Sequence, residues 1–250
     1  MTILDPATPD IPLRGAPAAF LDWETTGVDP LACWPVSVAV VHTEVGESEP
    51  RVVFTTKIKP PVPIPPGATE VHLISDDDVA DSPTWEEVLP DVEAQLEGRY
   101  FGAYNLPYDW QILARLIELT GRQLPPFGAF DPFVLVRAID KYEKSKKLSV
   151  VAERRGITIN AHEASSDALV TARLFPSLLR QLARGVRRQK PWGAMALDGP
   201  WCEPRHVQTV AGLWEWTRRA AVDQEADFAG YRRSKGQPAP DSPWTDLLGR

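Results

Sequence analysis

Apolar residues run from Ala18 to Leu21 and then alternate with acids through Asp22-Trp23-Glu24, which predicts a short strand that breaks at Gly27. The β-branched and apolar run Val36 to His42 predicts a second strand, and the alternation from Arg51 to Ile58 a third, with Glu44 to Pro50 as the loop between them. Three strands with short connections form an antiparallel meander. Five prolines between Pro60 and Pro66 cannot lie inside a helix or sheet and make a stiff connector.

Beyond the connector the period lengthens. Glu70 to Ile74 reads as a helical turn, and a helix with Ser82 as N-cap and Pro83 at its first position should run to about Leu96, kinked at Pro90 and closed by Gly98. Arg99 to Tyr104 predicts a strand, Leu106 to Thr120 a helix, Gly128 to Phe130 a strand, and Asp131-Pro132 the start of a helix to about Asp140. Leu148 to Arg155 makes a further short helix. A last one starts near Ser165 or Ser166, which serve as caps, with Pro176 breaking or kinking it. The fold class is therefore α/β, a mixed sheet flanked by helices.

From Gly185 the chain turns rich in Arg, Trp, Pro and Gly, and five of the nine tryptophans lie past residue 190. The 3/4 spacing of Val207, Val210, Trp214, Ala221, Phe228 and Tyr231 predicts a helix over 206–231 with one apolar side, which docks on the main domain or on a partner. Three units follow: a flexible tail over 1–17, a domain over 18–184, and a Trp-rich helical extension over 185–250.

Apolar content of 43% and charged content of 24% are those of a globular protein. No stretch reaches the ~20 apolar residues that a membrane span needs, and residues 1–17 lack the apolar centre of a signal peptide. Cys33 and Cys202 stand far apart with no zinc-type spacing, which fits free thiols in the cytoplasm. The net charge of -7 is the wrong sign for non-specific coating of nucleic acid, although it leaves room for an enzyme that meets phosphate through bound cations.

Asp22 and Glu24 are two residues apart on a strand, so both side chains point to one face, where their repulsion calls for a cation. Asp109 and Asp167 each fall in the first turn of a predicted helix, a comfortable place for an acid whether or not it binds metal. His162 and Asp167 are five apart, about 140° around a helix, so His162 belongs to the loop before it. Lys141, Lys144, Lys146 and Lys147 form either a solvated linker or a surface that steers a polyanion.

Three segments carry a resemblance: Asp22-Trp23-Glu24-Thr25-Thr26-Gly27, Ala103-Tyr104-Asn105-Leu106-Pro107-Tyr108-Asp109, and Ala161-His162-Glu163-Ala164-Ser165-Ser166-Asp167-Ala168. In this order they resemble the motifs of the DnaQ-like exonucleases of the DEDDh type, from about Ala18 to Leu182. Val71-His72-Leu73-Ile74 and Asp131-Pro132 also resemble family positions. Trp23, Trp34-Pro35 and Pro176 depart from the pattern without removing a ligand.

The resemblance implies a ribonuclease H-like five-stranded sheet. It also implies a 3′-to-5′ exonuclease that hydrolyses single-stranded DNA or RNA ends to nucleoside 5′-monophosphates with two divalent ions, Mg²⁺ or Mn²⁺. Asp22, Glu24, Asp109 and Asp167 would hold the metals, and His162 would take the proton from the attacking water. Thr25, Thr26, Asn105, His72 and Leu73 would contact the terminal nucleotide. The extension could engage a polymerase or another replication protein. An RNA- or oligonucleotide-trimming relative and a silent polymerase-binding module are the competing readings.

Overall fold

The computed structural model describes residues 10–122, 128–157, 164–185, 208–239 and 243–244. Its centre is β1 (Pro17–Thr25), which pairs antiparallel with β2 (Pro35–Glu44), itself antiparallel to β3 (Arg51–Lys57). On its other side β1 runs parallel to β4 (Tyr100–Gly102), and β4 parallel to β5 (Ala129–Phe130). The order β3-β2-β1-β4-β5 is the mixed five-stranded sheet that the sequence implies.

Between the meander and β4 come α1 (Pro66–His72), α2 (Asp76–Val79) and α3 (Trp85–Leu96); α4 (Leu106–Leu119) follows β4. After β5 come α5 (Pro132–Ile139), α6 (Leu148–Glu153), α7 (Ala164–Gly185) and α8 (Val210–Ser234). Side chains alternate faces along β1, and Phe20 meets Phe175 of α7 edge-on at 5.5 Å, so the face with Phe20, Asp22 and Glu24 is the one α7 covers. Phe175 also packs on Phe130 at 4.9 Å. Buried Ala168, Thr171 and Ala172 are small, which lets the first turns of α7 close on the sheet above the two acids.

Phe20 lies across Gly102 on the paired strand, where a Cβ would stand 2.5 Å from its ring. Only glycine fits there. Because β4 ends at Gly102, β1 projects beyond it, and the first turn of α4 occupies the space that a longer β4 would fill. The strand expected over 99–104 is shorter for this reason.

Other boundaries also differ from expectation. The helix expected from Ser82 begins at Trp85: the Thr84 N–H donates to Glu87 Oε2 at 2.8 Å, and Lys59 N–H to the Pro83 carbonyl at 2.8 Å, which keeps 83–84 extended. Both α3 and α7 run through their prolines, Pro90 and Pro176, because each proline deletes one hydrogen bond while buried side chains on either side hold the helix down. Ser165 and Ser166 lie inside α7 rather than capping it. Pro66, assigned to the connector, opens α1.

Residues 11–13 pair with the segment that leads into α8. Leu13 N–H donates to the Gln208 carbonyl at 2.8 Å, Val210 N–H to the Ile11 carbonyl at 3.0 Å, and Leu13 is buried, so residues 11–13 are bound chain rather than the loose tail expected of 1–17. Val210, Leu213, Trp214, Trp216, Ala220 and Ala221 of α8 share one hydrophobic core with the sheet and its helices. Gln224 Nε2 donates to the Val134 carbonyl at 3.2 Å, and Arg137 Nη2 to the Gln224 carbonyl at 3.1 Å, which fix α8 on α5. Phe228 and Tyr231, expected on the buried side, are exposed.

Candidate active site

Asp22 and Glu24 sit on the last turns of the β1 pleat, opposite Ala39 and Ser37 of β2. Those small partners leave room on the shared face. A β-bulge between Glu24 and Thr25 then swings the chain away from β2 into the turn at Gly27. Asp167 descends from the first turn of α7. One carboxylate oxygen from each of Asp22, Glu24 and Asp167 lies within 4.8 Å of the other two.

Asp109 is buried in the first turn of α4 and borders this group, since its charge acts strongly on Asp22. Backbone hydrogen bonds from Trp23 and from its own residue restrain it, but burial wins and its pKa stands well above the carboxylate range. Asp22 keeps some solvent access at its surface while the atoms around it are as dense as an interior. Its pKa is raised well above the ordinary value by burial first, then by Asp109, Asp167 and Glu24. Burial and then Asp167 push Glu24 up to about 7.

Every principal influence on Asp22 and Glu24 therefore favours the neutral acid. This is what a cation site looks like before its charge is counted. All donors are oxygens, and ligands on opposite sides of a hard cation at ~2.1 Å stand roughly 4.2 Å apart, so small side-chain adjustments would let the three share one ion. The residues fit Mg²⁺ or Mn²⁺.

His162, the expected general base, lies outside the described residues. Thr25 and Thr26, expected to contact a nucleotide, are buried. The Thr25 hydroxyl donates to the Gly27 carbonyl at 2.7 Å, and Thr26 Oγ1 accepts from Trp34 N–H at 3.0 Å. Their hydroxyls brace the turn after Glu24. Asn105 is exposed and left-handed, with φ of 72°, at the entrance to α4.

Leu73 is 75% exposed and also left-handed, with φ of 59°, whereas His72 is buried. Ile74 N–H donates to His72 Nδ1 at 3.1 Å, so the neutral ring carries its proton on Nε2, which has no hydrogen-bond partner although the Thr25 backbone lies nearby. Burial lowers the His72 pKa and keeps it neutral.

Two structural roles escaped the sequence reading. The Tyr108 hydroxyl donates to the Gly27 carbonyl at 2.8 Å and lies 2.7 Å from Thr25 Oγ1, tying α4 to the turn. Its only sequence signal is its place beside Asp109. Asp131 was legible as an N-cap, accepting from Phe133 N–H at 2.8 Å, but it also accepts from the N–H groups of Asn105 and Leu106 at 3.2 Å each. One buried carboxylate thus joins the starts of α4 and α5, and burial raises its pKa to about 7 against those bonds.

The exonuclease family RNase_T matches residues 19–175. The chain belongs to this family, the DnaQ-like exonucleases. It is 32% identical over 185 residues to a DNA polymerase III subunit epsilon-like protein of Rhodobacter capsulatus, covering 72% of this chain and 26% of that protein. It is 29% identical over 158 residues to the 3′-5′ exonuclease DinG of Staphylococcus saprophyticus, covering 63% of this chain and 17% of the relative. The chain thus spans about a quarter or less of these relatives' length.

Among solved structures, E. coli Exonuclease I in complex with a dT13 oligonucleotide matches with a TM-score of 0.60 at 18% identity, over 69% of this chain and 43% of that one. The nuclease domain of 3′hExo, a DEDDh family member bound to rAMP, matches with a TM-score of 0.55 at 17% identity, over 66% and 92%. The shared fold is ribonuclease H-like. Among the described residues no helix is long and apolar enough to cross a membrane.

Proposed function

We propose that this chain is a 3′-to-5′ exonuclease that hydrolyses the terminal phosphodiester of a single-stranded nucleic acid and releases nucleoside 5′-monophosphates. The observation that carries this reading is the convergence of Asp22, Glu24 and Asp167 within 4.8 Å, with Asp109 bordering them. Without a cation the cluster is a cost, since Asp109, Asp167 and Glu24 all raise the Asp22 pKa and Asp167 raises that of Glu24.

Asp22, Glu24, Asp109 and Asp167 would hold two divalent ions, Mg²⁺ or Mn²⁺. Such ions, when bound, neutralise the phosphate, favour a hydroxide nucleophile and stabilise the departing 3′ oxygen. The remaining work falls to the protein. Asp22 and Glu24, fixed by β1, orient the site against α7. His162 takes the proton from the attacking water at its imidazole nitrogen, a task suited to a group that titrates near neutrality. The turn at 25–27, braced by Tyr108, holds the backbone against which the terminal nucleotide rests, and exposed Asn105 and Leu73 border it. His72 acts from behind the turn.

We assign the catalytic unit to residues 18–184. The extension over 185–250, docked through α8, supports that unit and offers exposed Phe228 and Tyr231 to a replication protein. The test is digestion of 3′- and 5′-labelled DNA and RNA strands with and without Mg²⁺. Mononucleotides should be released from the 3′ end, and Asp22→Ala and His162→Ala should abolish release. Activity in excess EDTA, or undiminished activity in both variants, would reject the reading.

A further inference from the structure

The α5–α6 loop, with α6 behind it, is a strongly basic feature that the site above leaves unused. From Asp140 to Arg155 the chain carries six cationic residues against three acids, within a protein of net charge -7. Two of those acids are already neutralised. Asp140 receives Arg155 through both oxygens, at 2.9 and 3.0 Å, and Arg154 at 3.0 Å, while Glu143 pairs with Arg154 at 2.8 Å. Lys141, Lys144, Lys146 and Lys147 are in no ion pair among the described residues.

The loop is built rather than slack. The Tyr104 hydroxyl donates to the Lys146 carbonyl, Arg154 Nη2 to the Ser145 carbonyl at 3.3 Å, and Glu143 N–H to the Asp140 carbonyl at 2.9 Å. The Tyr104 ring packs tilted against Phe133, 5.3 Å between centroids, and Tyr104 immediately precedes Asn105, so the lysines are tethered to the segment that leads into Asp109. At the loop's crest Tyr142 is 91% exposed. Lysines alone would serve solubility. A fully exposed aromatic ring among them is the combination that holds single strands, with phosphates on the cations and a base on the ring.

We propose that the loop Lys141–Lys147 is a second contact for single-stranded nucleic acid, binding the sugar-phosphate backbone and one base upstream of the end held at the acid cluster. This rests on the exonuclease reading for the polarity of the strand, but the contact itself is measurable without turnover.

The experiment is fluorescence anisotropy with DNA and RNA strands of about 16 nucleotides and with a trinucleotide. It uses the full chain carrying Asp22→Asn, so that the strand is not consumed. Lys141→Gln/Lys144→Gln/Lys147→Gln should weaken binding of the long strand roughly tenfold and flatten the log Kd against log salt slope by about 2, at ~0.7 per lost phosphate contact. Tyr142→Ala, at a residue with no packing to lose, should weaken it about fivefold or more without changing the slope. Trinucleotide binding should not move. Unchanged long-strand affinity and slope in both variants would overturn the inference, even if the parent enzyme digests 3′ ends. Loss of binding in the variants while the parent digests nothing would uphold the contact and sink the proposed activity instead.

Discussion

The Tyr108 hydroxyl lies 2.7 Å from Thr25 Oγ1 and donates to the Gly27 carbonyl at 2.8 Å, joining the helix that carries Asp109 to the strand that carries Asp22 and Glu24. Burial holds its phenol in the protonated form. Tyr108→Phe keeps the ring and deletes both contacts, so it should cost about 1 kcal/mol of stability. We expect kcat on a 3′-labelled strand to fall several-fold with the fold intact by circular dichroism.

The acids set a pH dependence whose sign is opposite to the usual one. The folded chain holds Glu24 at about 7 against an ordinary value of 4.5, so between those pH values it retains a proton that the unfolded chain has released. Stability of the chelated protein should therefore fall as pH rises from about 4.5 to 7, with Asp22, Asp109 and Asp131 adding in the same direction. Thermal melts in EDTA should show Tm lower at pH 8 than at pH 5. Added Mg²⁺ should raise Tm mainly at the alkaline end; a chelated protein that is steadier at pH 8 would contradict this.

Gly102 is the point at which Phe20 crosses β4. Gly102→Ala places a methyl 2.5 Å from the ring, inside a core closed by Phe175 and Phe130. Overpacking of this kind costs about 1–3 kcal/mol, and urea unfolding should shift accordingly. Because the displaced ring seats α7, Asp167 should move with it, and activity should fall further than stability.

Leu73 holds a left-handed φ of 59° with its side chain in solvent. Removing the Cβ at such a position relieves roughly 1 kcal/mol, so Leu73→Gly should stabilise the chain in denaturant melts. If Leu73 also rests on the terminal base, the same variant should raise KM while leaving kcat nearly unchanged.

The sheet was legible because the short apolar runs Ala18 to Leu21 and Val36 to His42, rich in β-branched residues in the second case and bounded by turn residues, are too short for buried helices. Asp22 and Glu24 could be paired from their two-residue spacing on a strand, whereas Asp109 and Asp167 read equally well as first-turn helix acids and were singled out only through the resemblance; of the four, Asp22, Glu24 and Asp167 approach one another within 4.8 Å. What could not be read was long-range: that Leu13 bonds to Gln208, or that Asp131 caps α4 as well as its own helix, depends on packing between segments far apart in sequence. Helix ends failed where two signals competed, as when Ser82-Pro83 lost to the Thr84 and Glu87 pair. Proline was over-weighted at 90 and 176, since one missing hydrogen bond is small beside the apolar surface that α3 and α7 bury.

The most direct test of the acid cluster is a count of bound ions. Mn²⁺ titration followed by electron paramagnetic resonance should find two ions per chain in the wild type with a mononucleotide present, and at most one in Asp22→Asn at matched folding. Equal, weak Mn²⁺ uptake by both proteins would mean that Asp22, Glu24 and Asp167 approach one another for some reason other than a shared metal.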